Sequence, residues 1–233
     1  QIMKTKLTLP GLILFFSISL WAQNNLPYLG QTPPGLTALR FPPDSLLANY
    51  NRMWHGTPMF TYDGLEVCWT EYSEPTPDTY KLEIFTMRVE NNNWSSIQSP
   101  SFADTSYKEN NPLFNAGDDT LYYYSARSNT FINRVVRTTN GWDQPQTLQI
   151  PLPPGCLNGN TFSVTKNRDI YVDLLDTTTN DGNIYISHFQ NGNYQLPQTL
   201  GPEINSGYGE YCPFIDPDEK YLIFGSDRPG GYG

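Results

Sequence analysis

Four residues, each three positions ahead of one of four similar segments, carry the titratable and amide chemistry the sequence offers: His55, Glu109, Asn158 and Glu210. Two glutamates facing each other across an opening would meet the minimum for glycoside hydrolysis, an acid and a nucleophile or base. A histidine, an amide and two carboxylates around one mouth suit instead the hydrogen-bonded capture of a peptide, a protein segment or a glycan. Trp54, Tyr107 and Tyr208 stand beside these positions and would add stacking surface.

Other chemistries lack their parts. The two histidines are His55 and His188, and no Gly-x-Ser-x-Gly elbow, P-loop or His-Glu-x-x-His run occurs. Ser187 and His188 are consecutive in a strand-like run, where neighbouring side chains take opposite faces and cannot form a dyad. The segment from Asp176 to Gly182 resembles a calcium loop, but its oxygens fall at the wrong spacing and no bidentate Glu follows, so it reads as a polar turn. Cys68, Cys156 and Cys212 make an odd count without Cys-x-x-Cys spacing, which argues against structural zinc and reads as buried thiols, with one disulfide open in an oxidising compartment. No catalytic residue, cofactor or metal is expected.

The elements that must position the four residues come from an internal repeat. Its openings are Pro58-Met59-Phe60, Pro112-Leu113-Phe114, Thr161-Phe162-Ser163 and Pro213-Phe214-Ile215, at intervals of 112 − 58 = 54, 161 − 112 = 49 and 213 − 161 = 52 residues. Each leads through an Asp-, Asn- or Gly-bearing turn into an aromatic and β-branched run, which predicts a hairpin. In the first three units a second hairpin follows and closes on Trp94, Trp142 or Tyr194, at intervals of 142 − 94 = 48 and 194 − 142 = 52. Trp94 and Trp142 read as core.

Four short strands per unit of about fifty residues is the size of a propeller blade, whereas an immunoglobulin-like sandwich has no internal repeat. The fold class is therefore all-β: a partial β-propeller of four-stranded antiparallel blades, three blades plus the first hairpin of a fourth. A ring of six or seven blades would need about 300 residues or more at this period, so the chain reads as a fragment of one. The blades fall at about 55–106, 107–157, 158–207 and 208–233, and the mouth positions enter the innermost strands.

The last unit, from Tyr211 to Gly231, carries Pro213, the Pro217-Asp218-Glu219-Lys220 turn, Phe224-Gly225-Ser226-Asp227-Arg228 and Gly230-Gly231. It resembles the WD40-like propeller repeat of exported TolB-type proteins, with Glu219 where that repeat prefers Gly. The lead-in from Pro27 to Gly35 is similar to exported members from Bacteroidetes-type bacteria. The resemblance covers roughly residues 55–233, is strongest in the last unit and weakest in the third. It implies a propeller in the cell envelope that serves as an interaction scaffold, and it implies no activity, because function sits in sites rather than folds.

Composition and the chain's ends agree with that reading. A formal net charge of −9, with 16% charged residues, gives none of the clustered cations that nucleic acid needs, while 14% aromatics argue against disorder. Residues 3–22 read as a signal peptide: Lys4 and Lys6, then an apolar run from Leu7 to Leu20, then cleavage after Ala22. The run is shorter than a span needs, so no membrane span is expected after cleavage. Residues 23–54 read as an extended Pro- and Gly-rich lead-in with a helical turn at 44–48.

The expected function is an exported, non-catalytic binding scaffold, periplasmic or extracellular. The alternatives are the substrate-gating propeller of a serine peptidase whose catalytic domain lies beyond Gly233, or a propeller glycosidase.

Overall fold

The computed structural model describes residues 27–31, 35–37, 41, 53–76, 79–117, 119–127 and 131–231. The expected signal peptide and the helical turn at 44–48 lie outside the described residues. Among the described residues no helix is long and apolar enough to cross a membrane.

The chain is a partial β-propeller. In blade 1, β1 (Met53–Phe60), β2 (Glu66–Thr76), β3 (Thr79–Glu90) and β4 (Asn93–Trp94) pair antiparallel in sequence order. Blade 2 holds β5 (Glu109–Phe114), β6 (Thr120–Ser125) and β7 (Ile132–Thr138), with both β8 (Gly141–Trp142) and β9 (Gln146–Thr147) on the outer edge of β7. Blade 3 holds β10 (Cys156–Val164), β11 (Ile170–Asp176) and β12 (Gly182–Ser187); β13 (Phe189–Gln190) and β14 (Asn193–Tyr194) form a separate ribbon, and β15 (Gln198–Thr199) completes the sheet. A half-blade of β16 (Glu210–Ile215) and β17 (Leu222–Ser226) follows.

The closing aromatics do not lie in the outermost strand of the blade body. Trp94, Trp142 and Tyr194 sit in two-residue ribbons, and the chain then kinks and returns to the sheet at Gln98, Gln146–Thr147 and Gln198–Thr199. Short side chains take over ladder bonds at the kink: Val136 N donates to Asp143 Oδ1 at 2.7 Å and Arg88 N to Ser95 Oγ at 3.2 Å. Trp94 and Trp142 are accordingly half-buried rather than core.

Apolar faces meet between blades, which is why one blade cannot stand alone. Cys68 and Ile84 of blade 1 pack on Leu121, Tyr123 and Val135 of blade 2. Leu113, Tyr122 and Ile132 meet Phe162, Val164 and Val172 of blade 3, and Tyr171, Ile184 and Ile186 meet Ile215. The outward face of blade 1 carries Val67 and Trp69, with Trp54 stacked on Trp69 at 4.9 Å, and the lead-in covers part of it. There Tyr28 N donates to Gly64 O at 3.0 Å and the Tyr28 ring meets Phe60 edge-on.

Every innermost strand breaks register at the same place, between His55 and Met59, Asn110 and Leu113, Asn158 and Phe162, and Tyr211 and Phe214. The left-handed backbone of such a bulge falls on Gly56, Asn111 and Cys212 (φ 83°, 50° and 52°). The bulges also stitch blades together, with Asn111 N donating to Thr70 Oγ at 3.1 Å and Cys212 N to Thr161 Oγ at 3.2 Å. All three cysteines are free, and Cys212 is exposed rather than a buried thiol because it occupies the bulge itself.

Candidate functional site

The four mouth residues take one register position. His55 pairs with Thr70, Glu109 with Ser125, Asn158 with Leu174 and Glu210 with Ser226. Their surroundings divide them.

Glu109 is 2% exposed, and its partners lie in its own blade and the linker that leads into it. Its Oε1 accepts from Arg127 Nη2 at 2.6 Å, Arg127 Nε at 3.1 Å and Ser125 Oγ at 3.2 Å, and its Oε2 from Asp104 N at 3.1 Å. Arg127 also donates to Phe102 O, so the knot fastens the linker between blades 1 and 2. Burial pushes the Glu109 carboxyl above its ordinary range, against the pull of the Asp104 and Arg127 hydrogen bonds.

Glu210, wholly shielded from solvent, repeats the plan. Oε1 accepts from Ser206 Oγ at 2.6 Å, Ser226 Oγ at 2.8 Å and Arg228 Nη2 at 3.2 Å, and Oε2 accepts from Ser206 N at 2.9 Å. Arg228 donates chiefly to the linker, to Ile204 O at 2.5 Å. Desolvation raises the Glu210 carboxyl, but the hydrogen bonds from Ser206, Ser226 and Arg228 outweigh it and the net shift is downward.

This arrangement revises the expectation that Glu109 and Glu210 meet a ligand at the mouth. Both carboxylates are turned inward and paired with arginine, because an unpaired buried charge is too costly to keep. The Ser-x-Arg of the repeat is the structural partner of the glutamate ahead of it, at offsets of 125 − 109 = 226 − 210 = 16 and 127 − 109 = 228 − 210 = 18. That equality is visible in the sequence and marks the knot without a structure.

His55 is exposed. Its ring lies 6.4 Å from Tyr72, which stacks on Tyr80 at 5.7 Å, and Lys108 Nζ sits 3.4 Å over the Tyr80 ring. Tyr72 and Tyr80 belong to a hairpin that outgrows its blade. Strand β2 runs 76 − 70 = 6 residues past Thr70, whereas β6 ends at Ser125, the equivalent residue. At about 3.3 Å per residue the hairpin projects roughly 20 Å, and it leans over blade 2 onto Lys108. Asn158 is half-buried beside Tyr124 and Phe131, which stack at 5.1 Å. Tyr107 and Tyr208 are exposed, and Trp54 is packed against Trp69.

The segment at Asp176 is a self-satisfied turn, Asp176 Oδ1 accepting from Thr178 N at 2.7 Å and Thr178 Oγ at 2.6 Å. His188 Nδ1 lies 2.7 Å from Asp169 Oδ2, while Ser187 Oγ donates away from it to Gln195 O at 2.6 Å.

Among solved structures the chain is similar to a puromycin-hydrolyzing peptidase of Mycobacterium tuberculosis, with a TM-score of 0.52 and 12% identity over 75% of this chain and 25% of that one. It is also similar to an oligogalacturonate lyase from Vibrio parahaemolyticus, with a TM-score of 0.50 and 10% identity over 75% of this chain and 47% of that one. The chain thus spans about a quarter of the first protein and about half of the second. At such identities the likeness shows the fold alone. No protein-family model matches the sequence, and neither does any curated protein.

Proposed function

We propose that the protein is an exported, non-catalytic propeller scaffold of the cell envelope that captures a peptide, protein or glycan on the face where the innermost strands begin. The observation that carries this reading is the division among the mouth residues. The two carboxylates that catalysis would need are each paired with an arginine inside the blade, while exposed His55 and Tyr80 join half-buried Tyr72 and Lys108 in a polar and aromatic surface. The likeness of the last repeat to exported TolB-type propellers and the signal-like residues 3–22 support the envelope location.

The test is capture of a partner from envelope extract by the wild-type protein and by a His55→Ala, Tyr80→Ala, Tyr107→Ala variant of unchanged thermal stability. Loss of the same partner supports the reading, and undiminished capture sinks it. The reading as a peptidase gate draws on the fold likeness to the hydrolyzing peptidase. It would replace the first if the open reading frame continues past Gly233 into an α/β region with a Gly-x-Ser-x-Gly elbow.

A further inference from the structure

Past Tyr72 the β2–β3 hairpin leaves its blade, and where it leans on blade 2 a ring meets an ammonium. Lys108 Nζ sits 3.4 Å from the centroid of the Tyr80 ring, close enough for the negative face of the phenol to attract a cation directly.

Three arginines also lie over rings, and each of the three is tied to a carboxylate. Arg127 stands over Tyr107 and pairs with Glu109, Arg137 over Trp142 and pairs with Glu66, and Arg228 over Phe224 and pairs with Glu210. Lys108 has no carboxylate partner among the described residues, so the Tyr80 ring is what holds its ammonium.

The hairpin adds to this cation seat. Tyr72 stacks on Tyr80 at 5.7 Å, and its hydroxyl donates to the exposed Glu74 carboxylate. That bond pushes the Tyr72 phenol above its ordinary range, which keeps the ring neutral at physiological pH. Lys81 follows Tyr80 in the strand and belongs to its other face. The chain as a whole carries a formal net charge of −9, which draws a cationic partner and repels an anionic one.

We propose that Tyr80, with Tyr72 and Glu74 beside it, is a seat for a lysine side chain on a peptide segment of the partner, and that Lys108 fills the seat until that segment displaces it. The inference rests on the reading of this face as the capture surface and names its occupant. The Lys108 ammonium shows which group the ring accepts, and its flexible four-carbon stem lets it return to water as the competing lysine arrives. A neutral glycan offers the ring no charge, and an acidic peptide would meet Glu74.

The probe is an N-acetylated lysine tripeptide amide, followed through the backbone amide resonances of residues 80 and 108 in the ¹⁵N-labelled full chain at physiological ionic strength. Saturable movement of both is expected, and none with the corresponding glutamate tripeptide. Lys108→Met frees the ring and should tighten binding about threefold, whereas Tyr80→Leu should weaken it about threefold or more. Lys81→Met removes the same charge from the opposite face of the strand and should leave the affinity nearly unchanged. The inference is overturned if the lysine tripeptide moves neither resonance or the glutamate tripeptide moves them equally, or if Tyr80→Leu binds as the wild type does. It is also overturned if Lys108→Met binds no more tightly than the wild type, as a contact that merely latches the hairpin would have it, or if Lys81→Met gains as much as Lys108→Met. In each of these cases, envelope capture that is lost in the triple variant of His55, Tyr80 and Tyr107 leaves the proposed function standing. Undiminished capture by that variant, beside the expected tripeptide results, would sink the proposed function and keep the lysine seat.

Discussion

The knots of blade 2 and of the half-blade share one sequence spacing, yet they hold their carboxylates by different means. Glu109 is held mainly by a guanidinium, two Arg127 nitrogens converging on Oε1. Glu210 is held by hydroxyls, Ser206 and Ser226, while Arg228 directs its shortest bond to the linker carbonyl of Ile204. Their pKa values move in opposite directions, desolvation winning at Glu109 and the hydrogen bonds of Ser206, Ser226 and Arg228 at Glu210. A repeat signature therefore fixes who meets whom, and the donors gathered around the carboxylate decide its electrostatics.

The sharpest way to break the comparison is to remove the arginines. Arg127→Met leaves Glu109 buried without its charge partner and should cost about 3 kcal/mol at neutral pH, whereas Arg228→Met, whose carboxylate keeps two hydroxyls, should cost about 1 kcal/mol. Urea unfolding of the two variants measures the difference, and equal losses would mean that the knots are interchangeable.

Next come the carboxylates. Glu210→Gln should cost about 2 kcal/mol at pH 7, and Glu109→Gln about 1 kcal/mol, because neutralising Glu109 also removes its desolvation penalty. The pH dependence separates them further. The raised Glu109 pKa means that the folded chain holds this proton more tightly. Its contribution is full below the unfolded value and is lost as pH rises through the folded one. The lowered Glu210 pKa gives stability that is present above the unfolded value and lost as pH falls through the folded one. Between pH 7 and acid, Glu109→Gln should therefore remove a gain and Glu210→Gln a loss, read from unfolding midpoints across that range.

The smallest effect is expected at the serines. Ser226→Ala and Ser125→Ala should each cost about 0.5 kcal/mol, Ser226 the more because its contact of 2.8 Å is shorter than the 3.2 Å of Ser125.

Much of this was legible in the sequence. The four strand-opening anchors and the turns after them give the blades their hairpins, because a period near fifty with Asp, Asn and Gly turns leaves little choice of architecture. The common register of His55, Glu109, Asn158 and Glu210 was also readable. Which of them face solvent was not, since side-chain direction at the start of a strand depends on what the preceding linker offers. Phe102 O and Ile204 O, which the arginines bind, are backbone atoms with no sequence mark. Trp94 and Trp142 misled for a related reason, since a kink capped by Ser95 or Asp143 shifts the outer strand a few residues on.

The long β2–β3 hairpin has a consequence for how such a protein can change over time. Past Tyr72 and Leu82 its ladder answers to no blade register, so residues there can be substituted or inserted with little penalty to the ring. The surface proposed for recognition can drift while the blade interfaces of Cys68, Ile84 and Leu121 stay constant. Two descendants could thus keep superimposable blades and carry unlike hairpin tips.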